Sequence, residues 1–440
     1  MSTIAYVRPT PVRPLIPGFA ARLVTLLLGA VLPGMAMSAD ADTSSGGQRI
    51  TTASELLSST SVAEDNFKVT TGFRLVQNTI QLQTLLADRA VQSTFILDSG
   101  APMTIAAPLV DELGLKPMAN ATLAGPEGGR SEVPVVRIPD ISIAGLTFEN
   151  VGAVVDWVQA PDALACLSTA GLMGASLLQA AIWQIDFQSK QITISSSLEG
   201  ASGLKGAIRI PFKRSDAAGS PRIAVGVSDA DNVSLLIDLG FNGSIAIPTA
   251  LLEAAGDSVP DTAPTEIGQA SSTVFGSKSS TVQITRLREL RLGALRLKDF
   301  PVVTGTSVSD FHVGIEFLRH FRVTLDWVNN DLYLELREPS SALYDDFDTY
   351  GFAPTAQAGG LVVGALWREG AAARAGLELG DRLVAIDNRD TTAPDFAAIC
   401  SLLDEIGLYG SNGATIPVTV VRDGVEHTVQ VARKPLLPGQ

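Results

Sequence analysis

Cysteine is almost missing from this chain: Cys166 and Cys400 are the only two in 440 residues. Two thiols 234 positions apart are no disulfide framework, and each is expected to be a small buried hydrophobe. Histidine is as scarce, and His312, His320 and His427 show no metal-ligand spacing. Neither a glycine-rich phosphate loop nor a nucleophile-elbow serine is present, which leaves no cofactor or metal implied. Only 18% of residues are charged and acids outnumber bases, for a net charge of −14. That balance repels nucleic acid and anionic lipid. No apolar run reaches the roughly twenty residues needed to span a bilayer.

The first 39 residues carry Arg8, Arg13 and Arg22 and no acid, then a ten-residue apolar run from Leu23 to Leu32, Pro33-Gly34, and small residues from Ala36 to Ala39. This is the layout of a secretory signal peptide, cleaved after Ser38 or Ala39. Cleavage takes the net charge to −17 and predicts an exported protein, periplasmic in a two-membrane bacterium, with no stable membrane insertion. Residues 40–66 are Ser/Thr-rich and are expected to be flexible, with a helical turn or two around Ala53 to Leu57.

What the chain has in abundance is short Val/Ile/Thr-rich runs and turn residues, with 40 Gly and 24 Pro, so the class is mainly β. It also repeats itself. Phe95-Ile-Leu-Asp98-Ser99-Gly100 overlies Leu235-Leu-Ile-Asp238-Leu239-Gly240 at an offset of 140, with Ile105 on Ile245 and Pro108 on Pro248. The same offset carries Leu172-Met-Gly174 onto His312-Val-Gly314, Leu178 onto Leu318, and Ile185-Asp186 onto Leu325-Asp326. Between these blocks Ile141-Ser-Ile143 matches Leu290-Arg-Leu292 at 149, a nine-residue insertion in the second copy. A repeat this long is a small domain, so two homologous lobes are expected, at 67–198 and 203–337.

In each copy an apolar strand runs into Asp-x-Gly. A carboxylate at the end of a buried strand is costly unless hydrogen-bonded or used, and the glycine lets the backbone turn tightly beside it. Asp186 and Asp326, which recur before a turn, read as turn residues.

Hydrophobic-hydrophobic-Asp-Ser-Gly-Ala, followed some 75 residues on by hydrophobic-hydrophobic-Gly and a short helix, resembles the retropepsin-like aspartic proteases, and the duplication resembles their single-chain bilobal members. The resemblance implies that Asp98 and Asp238 face each other, share a proton and activate a water against a peptide bond, with Ser99, Gly100 and Gly240 supporting the loops. Close like charges cannot both ionise, so one carboxyl serves as acid and the other as base. The family's second-lobe hydroxyl is replaced by Leu239, which halves the cross-lobe brace, and Pro102 and Asn242 stand where a small hydroxyl residue is usual. These departures favour the alternative of a catalytically inactive peptide-binding protein. Hairpin flaps are expected at Ala124 to Arg130 and Ala270 to Ser280, with Phe275 as the flap residue that touches substrate.

The last hundred residues change pattern. Gly360 to Leu366, an alanine-rich helix, Leu379-Gly380-Asp381, Arg382 to Asp387, a helix from Phe396 to Glu405 and a hairpin turning at Asp423-Gly424 resemble the PDZ domains of exported bacterial proteases, over 345–438. The resemblance implies peptide capture by strand addition, with a terminal carboxylate held by Tyr350-Gly351-Phe352. The expected partners are protein or peptide substrates.

Overall fold

A computed structural model describes residues 52–437, apart from 87–91, 125–129, 157–165, 168–169, 216–217, 274–275, 306, 345–346, 358–359, 393–394 and 406–414. The expected signal peptide and Phe275 lie outside the described residues. The fold is mainly β, as the strand-forming composition requires.

The two copies are joined by a shared antiparallel sheet. Strand Ile182–Asp186 pairs with Phe321–Asp326 in a register that sets Gln184 against Thr324, residues that are equivalent under the 140 offset. Gln184 Nε2 donates to Thr324 Oγ1 at 2.8 Å. A residue paired with its own repeat partner lies on the local two-fold axis, so the duplication is built into the hydrogen-bond register. Gln191–Ser195 and Lys68–Gly72 extend this sheet on the side of lobe 1, and Asp331–Leu336 and Ile208–Arg214 on the side of lobe 2. Asp186 and Asp326 accept backbone N–H groups of the following turns, those of Gln188 and Asn329.

Above the shared sheet the lobes repeat one arrangement. Gln92–Asp98 pairs in parallel with Gly171–Gly174, Gly174 opposite Asp98, and Ala230–Ile237 pairs in parallel with His312–Val313. A long hairpin stands on each lobe, Ala119–Ala124 with Arg130–Ile143 and Thr265–Thr273 with Gly276–Leu292.

Part of the segment expected to be flexible before lobe 1 is packed on that lobe. Ala53–Leu57 is a helix closed by a capping box between Thr52 and Glu55. Its Ala53, Leu56 and Leu57 are buried against Ala121, Val133, Val135 and Val154 of lobe 1, which offsets the entropy cost that composition alone suggested.

The C-terminal domain places Phe352–Gln357 beside Gly360–Trp367, then the helix Ala371–Ala375, Arg382–Ile386, the helix Phe396–Glu405, and the hairpin Thr415–Arg422 with Val425–Ala432. Asp423 and Gly424 both have positive φ, as a two-residue hairpin turn of this hand demands. The domain does not stand apart. Gly360–Trp367 pairs through its second half with the lobe-2 hairpin, Glu266 opposite Trp367, Ile267 opposite Leu366 and Gly268 opposite Ala365. Gly268 has φ +108°, and a Cβ there would sit 2.2 Å from the Gly364 carbonyl oxygen, so this seam requires glycine.

Cys166 and Cys400 form a disulfide, contrary to the expectation of two independent buried thiols. It joins the segment that enters Gly171–Gly174 in lobe 1 to the helix Phe396–Glu405. The pairing was hidden because the C-terminal domain folds back onto both lobes, which no local pattern announces.

Candidate active site

Each aspartate ends a strand that is apolar because it is buried on both faces: Phe95, Ile96 and Leu97 before Asp98, and Leu235, Leu236 and Ile237 before Asp238, are all at most 1% exposed. The two loops interlock. A Cβ on Gly100 would lie 2.8 Å from Asp238 Cγ, and one on Gly240 would lie 2.3 Å from Asp98 Cγ. Each carboxyl therefore rests on the other lobe's glycine, and the pair meets across the lobe interface.

Asp98 Oδ1 accepts the Gly100 N–H at 2.8 Å. Asp238 Oδ1 accepts the N–H groups of Gly240 at 2.9 Å and Phe241 at 3.1 Å. The Oδ2 atoms of both are buried and take no hydrogen bond from the described residues. Both carboxyls are fully buried, and burial is the main reason Asp98 is pushed up to about 6. Burial likewise raises Asp238 well above the ordinary carboxylate range, helped by the negative charge of Asp98. Both shifts favour the protonated forms, because burial penalises a charged carboxylate.

Ser99 Oγ donates to the Ile237 carbonyl at 2.6 Å and accepts the Leu239 N–H at 3.0 Å, so one hydroxyl clasps the opposite loop twice. Leu239 returns nothing of the kind; its side chain is buried in the main core. The single-sided brace read from the sequence is the one present.

A second cross-lobe contact was not legible. The turn Gln77-Asn78 of lobe 1 reaches lobe 2, where Asn78 Nδ2 donates to Glu316 Oε2 and to the Asn242 carbonyl, and Asn242 Nδ2 donates to the Gln77 carbonyl at 3.3 Å. Arg319 closes the group, its Nε 3.3 Å from Glu316 Oε1. Asn242 thus braces the lobes. The one available signal was a pair of charges, Glu316 and Arg319, standing in the repeat where lobe 1 has Ser176 and Gln179.

Residues 84–177 match the aspartyl protease family. The matched stretch contains Asp98-Ser99-Gly100 and ends in the short helix after Gly174; it covers less than a quarter of the chain and none of the second lobe. Comparison with curated proteins gives no match. The aspartyl-protease-like segment is therefore the half of the site that carries Asp98, and Asp238 is brought to it by the repeat.

The other expected binding residues lie at the start of the C-terminal domain. Gly351 has φ +86° between the buried Tyr350 and Phe352. Its N–H donates to Thr349 Oγ1 at 3.0 Å, and the Tyr350 and Gly351 carbonyls accept the N–H groups of Ala372 and Trp367. A carboxylate bound by the Gly351 N–H has to displace the Thr349 hydroxyl.

Proposed function

We propose that this chain is an aspartic endopeptidase whose working pair is Asp98 and Asp238. The observation that carries the reading is the reciprocal seating of each carboxyl on the other's glycine, with two buried Oδ2 atoms left for a shared proton and a water. The match of residues 84–177 to the aspartyl protease family supports the same chemistry. In this reading the ionised carboxyl takes a proton from a water as its oxygen attacks the peptide carbonyl carbon. The protonated carboxyl gives its proton to the carbonyl oxygen, and collapse of the tetrahedral species passes a proton to the leaving nitrogen. The pair ends with one proton, as it began.

Removing either carboxyl leaves a lone acid unable to play both parts, so Asp98→Asn and Asp238→Asn should each lower kcat by at least about a thousandfold on an unfolded protein substrate. The catalytic form holds one proton, so the acid limb of the rate profile follows the more readily ionised step. Burial raises both carboxyls, so that limb should lie well above that of a solvated dyad. Full activity in Asp238→Asn would sink the two-lobe mechanism. The second reading, a protease-like peptide-binding protein, draws on Leu239 and Pro102, and corresponds to peptide binding without cleavage in the unaltered chain.

The C-terminal domain, read as PDZ-like, would recognise a peptide by strand addition to Phe352–Gln357 beside the helix Phe396–Glu405. The signal-like N-terminus supports export, and a disulfide is in keeping with an oxidising compartment.

A further inference from the structure

The two lobes expose the same apolar face and cover it differently. On lobe 1, Val133, Val135 and Val154 lie under the helix Ala53–Leu57. Shifted by 149, these positions are Val282, Ile284 and Val303 of lobe 2, and there they form one cluster with Phe241, Phe347 and Trp367, against which Leu436 and Leu437 also pack. The cover on lobe 2 is therefore the C-terminal domain and its flanking segments. Trp367 is the largest of these side chains and is 1% exposed.

The clusters differ in one further respect. Lobe 1 has Ala101 after its Asp-x-Gly and lobe 2 has Phe241. Phe241 is tied at three points. Its N–H holds Asp238 Oδ1, its carbonyl accepts the Ile315 N–H at 2.8 Å, and its ring meets the edge of His312 with centroids 4.3 Å apart. Its ring is also in the cluster with Trp367. A side chain of the C-terminal domain thus packs in the same cluster as the residue whose amide fixes one oxygen of the dyad. On lobe 1 the cover packs on strand side chains, and among the described residues its cluster does not include Ala101.

We infer that Trp367 is a positioning residue for Asp238, acting through Phe241, so that the C-terminal domain completes the active site of lobe 2 in addition to any role in binding peptides. The inference rests on the dyad reading above. Truncating Trp367 opens the cluster in which the Phe241 ring packs, gives that ring room to shift, and so loosens its amide from Asp238 Oδ1 and lets the pair drift from its productive geometry. Ground-state binding of substrate along the cleft is largely kept.

The test uses the full chain with Trp367→Ala, Trp367→Phe and, as control, Leu56→Ala, which thins the lobe-1 cover. For Trp367→Ala we expect kcat per folded molecule to fall roughly 10- to 100-fold with KM changed less than about threefold, and the acid limb of the rate profile to move. Trp367→Phe should restore most of the activity, and Leu56→Ala should leave kcat per folded molecule and the limb where they were. The same shift is expected in a Glu266→Gln background, which removes the titrating carboxyl beside Trp367. Independently of turnover, carbon NMR of Asp-labelled protein, with Asp98 and Asp238 assigned from their Asn variants, should show the dyad titration displaced by about half a unit or more in Trp367→Ala. An unchanged titration overturns the inference whether or not the unaltered chain cleaves peptides. So does an equal effect of Leu56→Ala. Absence of peptidase activity in the unaltered chain, with the titration displaced as expected, counts against the protease reading alone.

Discussion

Glu266 offers a sharp test of how the C-terminal domain is seated. It lies opposite Val282 on one side and Trp367 on the other, so its side chain shares their face of the sheet. The corresponding partner of Val133 in lobe 1 is Ala121. A carboxyl has replaced a methyl group in an apolar contact. Glu266 is 2% exposed, its Oε1 has no hydrogen-bond partner among the described residues, and burial alone pushes it up to about 8. The folded chain therefore keeps a proton that the unfolded chain releases above its ordinary value of 4.5, and stability must fall as pH rises between these two values. The cost is absent below the unfolded value, reaches about 3 kcal/mol at pH 7, and levels at about 5 kcal/mol above pH 8. Glu266→Gln removes the titration and keeps the size. Its stability advantage over the unaltered protein should grow from under about 1 kcal/mol at pH 5 to about 3 kcal/mol at pH 7. Urea unfolding followed by tryptophan fluorescence measures this, with Trp367 at the same seam as reporter. An advantage equal at pH 5 and pH 8 would refute the reasoning, since it would mean that Glu266 does not change protonation on folding.

Cys166→Ser/Cys400→Ser, or reduction, opens a loop of 234 residues and should lower stability by up to about 5 kcal/mol, read from the urea midpoint; the lobe-2 seam retains the C-terminal domain, so its strands should stay protected in hydrogen exchange. Leu239→Thr can donate to the Leu97 carbonyl, the repeat counterpart of the Ser99 bond to Ile237, but it empties part of the core. It should cost about 1 to 2 kcal/mol in unfolding and leave kcat within about threefold, whereas a large loss of kcat would show that the leucine packing itself sets the loop.

The sequence by itself determined the elements whose signals are local or repeated. The 140-residue offset, the apolar strands ending in Asp98 and Asp238, the one-sided brace of Ser99, and the Asp423-Gly424 turn all follow from residue type and spacing, because strand burial, tight turns and a duplicated register are written in neighbouring residues. Tertiary structure alone decided the contacts between distant elements. The Cys166–Cys400 bond, the helix Ala53–Leu57 on lobe 1, the clasp of Asn78 on Glu316, and the seating of Trp367 in the cluster that holds Phe241 join segments with no common pattern. Each forms because a lobe leaves an apolar face or a polar edge uncovered, and which segment covers it is set by the tertiary arrangement. Glu266 shows the reason most plainly: as a sequence position it is an ordinary acid on a hairpin, and only the strand laid against it makes it a buried carboxyl.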